Sequence, residues 1–352
     1  MEVGQMKIVS IDTLKDERRR ATIEEKIPYL LNGEMKTAVK KMVNGEMEVL
    51  DFSKPIGEML TTPAGLDSIV QKTVIDLELG REAVPLLYGP IYRRIEDPNF
   101  TEHVDIAPFT YAQVVFLEHM ELEEVKFGSR KIGPKDTVPI ITYTAGLQWT
   151  EDMSIYDKTW EIAEANRAMG EAYNALLNHI HLYPILSYNY ASKNQTAADT
   201  TGATLLEKLR NTIKAGLIHA SQDKNTDTGA PRRPTVLLAH SSRRWDIEEC
   251  LQRLQIGGTI YPAISQIDTL IFYDGWGTIV GEKSYEYDGV DPDKAYLIEP
   301  QKYFRELVKH DLRIDAGGAD ITRLIEDAIV ARARRGVVAS PANSVEELTL
   351  PN

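Results

Sequence analysis

One segment limits the possible folds more than any other. DKTWEIAEANRAMGEAYNALLNHI, from Asp157 to Ile180, sets Ile162, Ala165, Met169, Ala172, Tyr173, Leu176 and Ile180 on one side of an α-helix, at steps of three and four. Asp157 can cap its start, and Glu161 lies in the first turn, where negative charge is favoured. Pro184 is expected to close it. The helix should therefore cover about 157–182, roughly 39 Å at 1.5 Å per residue, or about twice the usual length. A single apolar stripe of that length needs a wall along all of it, from the rest of the chain or from other chains.

The surrounding patterns show what could supply that wall. GLDSIVQKTVIDLELG places Leu66, Ile69, Val70, Val74 and Leu77 at helical spacing, with Gly80 as a stop. AVPLLYGPIYRRIEDPNF then reads as extended chain interrupted by prolines. Residues 100–136 read as a long hairpin: YAQVVFLEHMELEEVKF has strand composition and GSRKIGPKD has turn chemistry. Glu118, Glu121, Glu123 and Glu124 charge its first half; Lys126, Arg130, Lys131 and Lys135 charge the second. Such a hairpin buries little of itself and must lie in water or on a partner. TVPIITYTAGLQWTEDM is a returning strand.

After the long helix, TLLEKLRNTIKAGLIHA aligns Leu206, Leu209, Ile213 and Leu217 as a further helix, and SQDKNTDTGAPRRP is a polar boundary. TVLLAH opens an α/β unit, followed by a serine-capped helix in SSRRWDIEECLQRL and short strands in DTLIFYD and KAYLIEP. The closing patterns, YFRELVKHDLRID and DITRLIEDAIVARARRGVV, are strands. Residues 1–60 are charged and too poor in apolar side chains to fold alone, so they read as an arm.

Charge and cysteine usage narrow the class. With 53 acidic against 40 basic residues the chain carries a formal −13, which gives it no general attraction to nucleic acid or to an anionic membrane. A lone cysteine, Cys250, allows neither an internal disulfide nor a thiolate metal cluster. No run approaches the ~18 apolar residues of a membrane helix. MEVGQMKIVSIDTLKDERRR turns charged before a signal-peptide core can form. These features predict a soluble protein made in a reducing cytoplasm.

No catalytic set stands out. His179 and His181 form an H-x-H pair, but on a helix they point about 200° apart, so they share a metal only on extended chain. AHSSRRWD brings His240, Ser241 and Asp246 together without a nucleophile elbow, and its serines suit a helix cap better. DGWGTIVG lacks a correctly placed third glycine and a following helix. YDGVDPDKAYLIE offers Asp288, Asp291 and Asp293 without calcium-loop spacing. The expectation is no enzyme, no cofactor and no metal. What remains is architecture: an arm, a charged hairpin, a very long helix and an inserted α/β unit, which together favour an obligate assembly.

That order of parts resembles the major capsid proteins of tailed bacteriophages, the Hong Kong 97 fold. ITYTAGLQWTEDMSIYDKTWEIAEANRAMGEAYNALLNHI is similar to their strand and spine helix. PTVLLAHSSRRWDIEECLQRL is similar to the core of their axial domain, and LIEPQKYFRELVKHDLRID with ITRLIEDAIVARARRGVVASPANSVEEL to their closing peripheral-domain strands. The resemblance implies an α+β fold with an N-terminal arm at 1–60, peripheral-domain pieces at 61–99 and 137–232, an extended loop at 100–136, an axial domain at 233–298 and closing strands at 299–352.

It also implies a virion protein, assembled in the host cytoplasm into hexamers and pentamers of an icosahedral shell. Its partners would be further copies of itself, a portal, a scaffold or protease, a decoration protein, and packaged double-stranded DNA as a weak, non-specific neighbour. Some relatives crosslink a loop lysine to an asparagine, and Lys126, Lys131 and Asn343 have suitable types. An encapsulin-type nanocompartment is the alternative use of such a fold, and a soluble enzyme the alternative class.

The candidate subunit contacts are Glu118, Glu121, Glu123, Glu124, Lys126, Arg130 and Lys131 on the loop, and Arg332, Arg334 and Arg335 in AIVARARRGVV. On a strand Arg332 and Arg334 share one face; Ala331, Ala333 and Arg335 share the other.

Overall fold

A computed structural model describes residues 39–43, 46–50, 63–106, 110–113, 129–132, 136–150, 159–222, 231–256, 259–280, 283–317 and 325–351. The chain divides into two compact units. One comprises Met1–Val84, Thr144–Tyr173 and Arg313–Arg332; the other comprises Pro85–Tyr143, Asn174–Leu312 and Ala333–Asn352.

In the first unit a ribbon of β1 (Val39–Val43) and β2 (Glu46–Leu50) pairs antiparallel. Helix α1 (Pro63–Ala83) runs straight through Gly80, where the sequence pattern predicts a stop. The reason is the helix it crosses, α2 (Thr159–Leu186). A Cβ at Gly80 would lie 1.9 Å from the Arg167 carbonyl oxygen, and one at Gly170 would lie 2.1 Å from that of Leu77. Glycine is needed here for a close approach of two backbones, not for a turn. Around the crossing Asn166 Nδ2 donates to Thr73 Oγ1 at 3.4 Å, Arg167 faces Asp76 at 3.8 Å, and the Arg81 guanidinium lies 5.4 Å from the Tyr173 ring centre.

Helix α2 outlasts its expected end at 182 and carries Pro184 inside its last turns. Proline cannot donate to the Ile180 carbonyl, but hydroxyls meet the carbonyls around it. Tyr92 donates to the His181 oxygen at 2.7 Å, Tyr190 to the Ile185 oxygen at 2.8 Å and Ser187 Oγ to the Tyr183 oxygen at 2.7 Å. The buried stripe also differs from the hydrophobic one. Asn174, Leu177, Asn178, His181, Leu182 and Ile185 are buried, whereas Leu176 and Ile180 are only half-buried. Asn178 shows why: its Oδ1 accepts from Leu87 N at 2.8 Å and its Nδ2 donates to the Pro85 oxygen at 2.9 Å. A buried amide that satisfies two backbone groups is stable where hydropathy alone would not place it.

Six strands lie between the helices in sequence: β3 (Arg93–Glu96), β4 (His103–Ile106), β5 (Thr110–Gln113), β6 (Ser129–Ile132), β7 (Asp136–Pro139) and β8 (Ile141–Thr150). β4 pairs antiparallel with β7, His103 opposite Pro139; β5 pairs antiparallel with β6, Thr110 opposite Ile132. After α2 come β9 (Gln195–Thr196), α3 (Leu205–Gln222), β10 (Val236–Ala239), α4 (Arg244–Leu251), β11 (Leu254–Ile256), β12 (Thr259–Tyr261), β13 (Thr269–Phe272), β14 (Gly275–Val280), β15 (Lys283–Asp288), β16 (Lys294–Ile298), β17 (Phe304–Gly317), β18 (Ile325–Ala339) and β19 (Val345–Thr349).

Two sheets organise these strands. One is ordered β3-β17-β18-β8, the other β13-β10-β16-β19-β9. The second sheet therefore draws in chain well outside 233–298, from 195–196 and 345–349. Its apolar face, Leu237, Ala239, Ala295, Leu297 and Leu348, packs on Leu209, Ile213 and Leu217 of α3 and on Ile247 and Cys250 of α4. A reciprocal cap starts α3: Glu207 N donates to Thr204 Oγ1 at 3.2 Å, and Glu207 Oε2 accepts from Ala203 N at 2.8 Å. Buried Arg210 donates to the Cys250 and Pro262 oxygens and to the Gln252 oxygen at 3.1 Å, which ties down the end of α4.

Candidate functional site

The arginine-bearing strand sorts its residues by parity. Ala331, Ala333 and Arg335 are buried; Arg332 and Arg334 are exposed. Arg332 Nε pairs with Asp315 at 2.6 Å, both half open to water, and Arg334 has no ion pair among the described residues.

Arg335 corrects an expectation. It is 1% exposed and cannot serve as a subunit contact. Its fork meets two carboxylates of β17, Glu306 and Asp311. Asp311 is shared with Arg94 at 3.1 Å, and Arg94 Nε reaches Glu96 at 2.7 Å. Charges of alternating sign thus run from the exposed Glu96 to the buried Glu306, which also accepts from the Tyr88 hydroxyl at 3.2 Å.

His181 is sealed into the same cluster. Its ring stacks on Tyr88 at 3.7 Å and meets the edge of Tyr92 at 4.8 Å. Nδ1–H donates to the Leu177 oxygen at 2.6 Å, and Nε2 lies 3.6 Å from Glu306 Oε1. Burial pushes its pKa down to about 3, against the Leu177 bond and with help from Arg335, so the imidazole is neutral. His179 points elsewhere, stacked on Tyr287 of β15 at 4.3 Å, so the two histidines do not converge. The carboxylates, guanidinium groups and tyrosine hydroxyls of this cluster are engaged with one another, while the buried His181 Nε2 has no hydrogen-bond partner among the described residues.

The other sequence candidates resolve as structure. His240, not a serine, caps the turn before α4: its Nδ1 accepts from Ser242 N at 3.1 Å. Ser241 instead holds Asp274, through its N–H at 2.7 Å and through its hydroxyl. GWGTIV, Gly275–Val280, forms β14, and Gly275 is required by its φ of +85°. Asp293 pairs with Arg243 at 3.5 Å and its N–H donates to Asp291 at 3.0 Å, a local turn. Asn343 donates to Ser340 Oγ at 3.3 Å. Among the described residues no three His, Cys, Asp or Glu side chains are placed to hold a metal ion, and no helix is long and apolar enough to cross a membrane.

The remaining candidates are surfaces. Glu118, Glu121, Glu123, Glu124 and Lys126 lie outside the described residues, while Arg130 and Lys131 fall on β6. Sequence reasoning missed the exposed apolar side chains: Trp245 at the start of α4 is 76% exposed and Ile279 on β14 is 74% exposed. Trp245 stands as a bulky apolar residue in the charged run SSRRWD, which was its available signal; Ile279, beside Val280, gave none.

No protein-family model matches the sequence, and no curated protein matches it. Solved structures do match the fold. A virus-like particle from Pyrococcus furiosus superposes with a TM-score of 0.50 at 14% identity, covering 80% of this chain and 99% of that one. The mature capsid of bacteriophage PhiM1 superposes with a TM-score of 0.50 at 10% identity, covering 76% of this chain and 88% of that one. The fold is the Hong Kong 97-type shell fold, mixed helix and sheet.

Proposed function

We propose, from that fold, that the chain is the structural subunit of a closed protein shell, the major capsid protein of a tailed phage, enclosing double-stranded DNA. The observation that carries the reading is the match to two shell-forming particles over three-quarters or more of the chain. Copies of the chain are its main partner, arranged as hexamers and pentamers. The charged loop and the Arg332–Arg334 face are the proposed contacts, and a portal, scaffold or protease and decoration protein are the proposed accessory partners. The role is structural, not enzymatic. Packaged DNA is a weak neighbour, since a chain at −13 offers it no broad attraction. Assembly takes place in the host cytoplasm.

A shell with other contents is the second reading, favoured by coverage of 99% of the virus-like particle chain. The experiment is expression of the full chain, alone and with its neighbouring genes, followed by negative-stain microscopy and nuclease treatment of the particles. Closed shells protecting DNA are expected. Shells filled with protein support the second reading, and only monomers or dimers overturn both.

A further inference from the structure

The β14–β15 ribbon is a two-stranded sheet with two unlike faces. Register places Trp276 opposite Tyr287, and this pair stacks at 5.6 Å while Tyr287 lies on His179. That face is anchored. The other carries two cross-strand pairs, Gly277 with Glu286 and Ile279 with Ser284, and all four residues are exposed. An isolated ribbon is marginal in water, and this bare face presents a glycine shelf, one large apolar side chain and one carboxylate.

The same unit carries the complement at the start of α4. Trp245 is exposed, and the Arg244 guanidinium lies between rings, 5.9 Å from Trp245 and 5.6 Å from Phe272. Arg244 Nε donates to Glu248 at 2.8 Å; its terminal nitrogens have no partner among the described residues. A flat ring with a cation beside it fits a glycine shelf with an isoleucine and an anion beside it. Tryptophan and arginine are also the side chains that dominate interface energies. Two unlike, mutually complementary faces on one chain give a head-to-tail contact, which closes into a ring of copies when the rotation allows.

We propose that the Gly277/Ile279/Glu286 face of one copy seats on Arg244 and Trp245 of the next copy. This rests on the shell reading and names the contact that would build its rings.

Disulfide trapping tests it. The native Cys250 is fully buried, with its thiol pushed up to about 12 by burial, so it gives no background. A Cβ at Gly277 meets nothing nearer than 3.6 Å. The full chain carrying Trp245→Cys and Gly277→Cys together, oxidised after assembly, should give a ladder of covalent multimers on non-reducing gels, and each single variant should stay monomeric. Ile279→Asp should lower the assembled fraction about tenfold or more, as loss of a buried anchor does. Assembled wild-type particles whose double variant gives no ladder, or closes only within one chain, overturn the contact and leave the shell reading intact. Absence of any assembly overturns both.

Discussion

Arg335 shows what a single buried charge does in this fold. Its guanidinium is matched on both prongs, and truncation would leave Glu306 charged, 2% exposed and without its cation. Removing one partner of such a pair costs about 3–5 kcal/mol. Arg335→Ala should therefore unfold at markedly lower urea than wild type, and Arg335→Lys should not recover the loss, because an ammonium cannot fork. An unchanged urea midpoint for the alanine variant would remove the cluster from the account of stability. His181 gives a pH dependence of defined sign. Its pKa in the folded chain, about 3, lies below the ordinary 6.5, so the unfolded chain takes up the proton first. Stability from this group is complete above about pH 6.5 and declines as pH falls towards 3, with a slope of at most ~1.4 kcal/mol per pH unit. His181→Phe, which keeps a ring against Tyr88, should flatten that acid limb in urea titrations at pH 7, 5.5 and 4. The alternation from Ala331 to Arg335 was legible in the sequence because strand parity is strict. Its partners were not: Glu306 and Asp311 are an odd number of residues apart, which on a regular strand puts them on opposite faces, so nothing in the pattern pointed one arginine at both.

Helices α1 and α2 meet through backbone rather than side chains at Gly80 and Gly170. Gly170→Ala inserts a methyl group 2.1 Å from the Leu77 oxygen, which neither backbone can yield without parting the helices. Overpacking of this kind costs about 1–3 kcal/mol, and Gly170→Leu should cost more. Thermal unfolding of the isolated subunit checks both, and a neutral alanine variant would mean that the crossing is looser than described. Periodicity found α1, α2 and α3 because each holds a repeating apolar face over many turns. It misjudged the end of α2, because Pro184 falls in the last turn, where it withholds a donor from one carbonyl only, that of Ile180. It also missed Asn174 and Asn178, because hydropathy sees a polar residue and not the backbone groups that residue satisfies. Among the strands, the short β9 has no pattern of its own; two residues cannot show a period.

For the chain as a whole, the fold was legible from the order of its parts, with no short motif to carry it. A very long helix, then an inserted α/β layer and closing strands, is an unusual sequence of elements, and two solved shell structures match the fold with a TM-score of 0.50. The surfaces that would join copies were less legible, because a contact between chains leaves no periodicity within one. The Arg332–Asp315 pair is exposed and worth about 0–1 kcal/mol to the folded chain. Arg332→Glu with Arg334→Glu should therefore leave the unfolding midpoint nearly unchanged while reducing the sedimenting particle fraction; full particle yield would exclude that face as a contact. The placement of β19 has a consequence for synthesis. It lies between β16 and β9, so the five-stranded sheet cannot be completed until residue 349 has left the ribosome. Helix α3 emerges long before, and its Leu209, Ile213 and Leu217 lack their Leu348 cover until then. A nascent chain therefore carries this helix with only part of its cover, from Leu237, Ile247, Ala295 and Leu297, until its last residues are made.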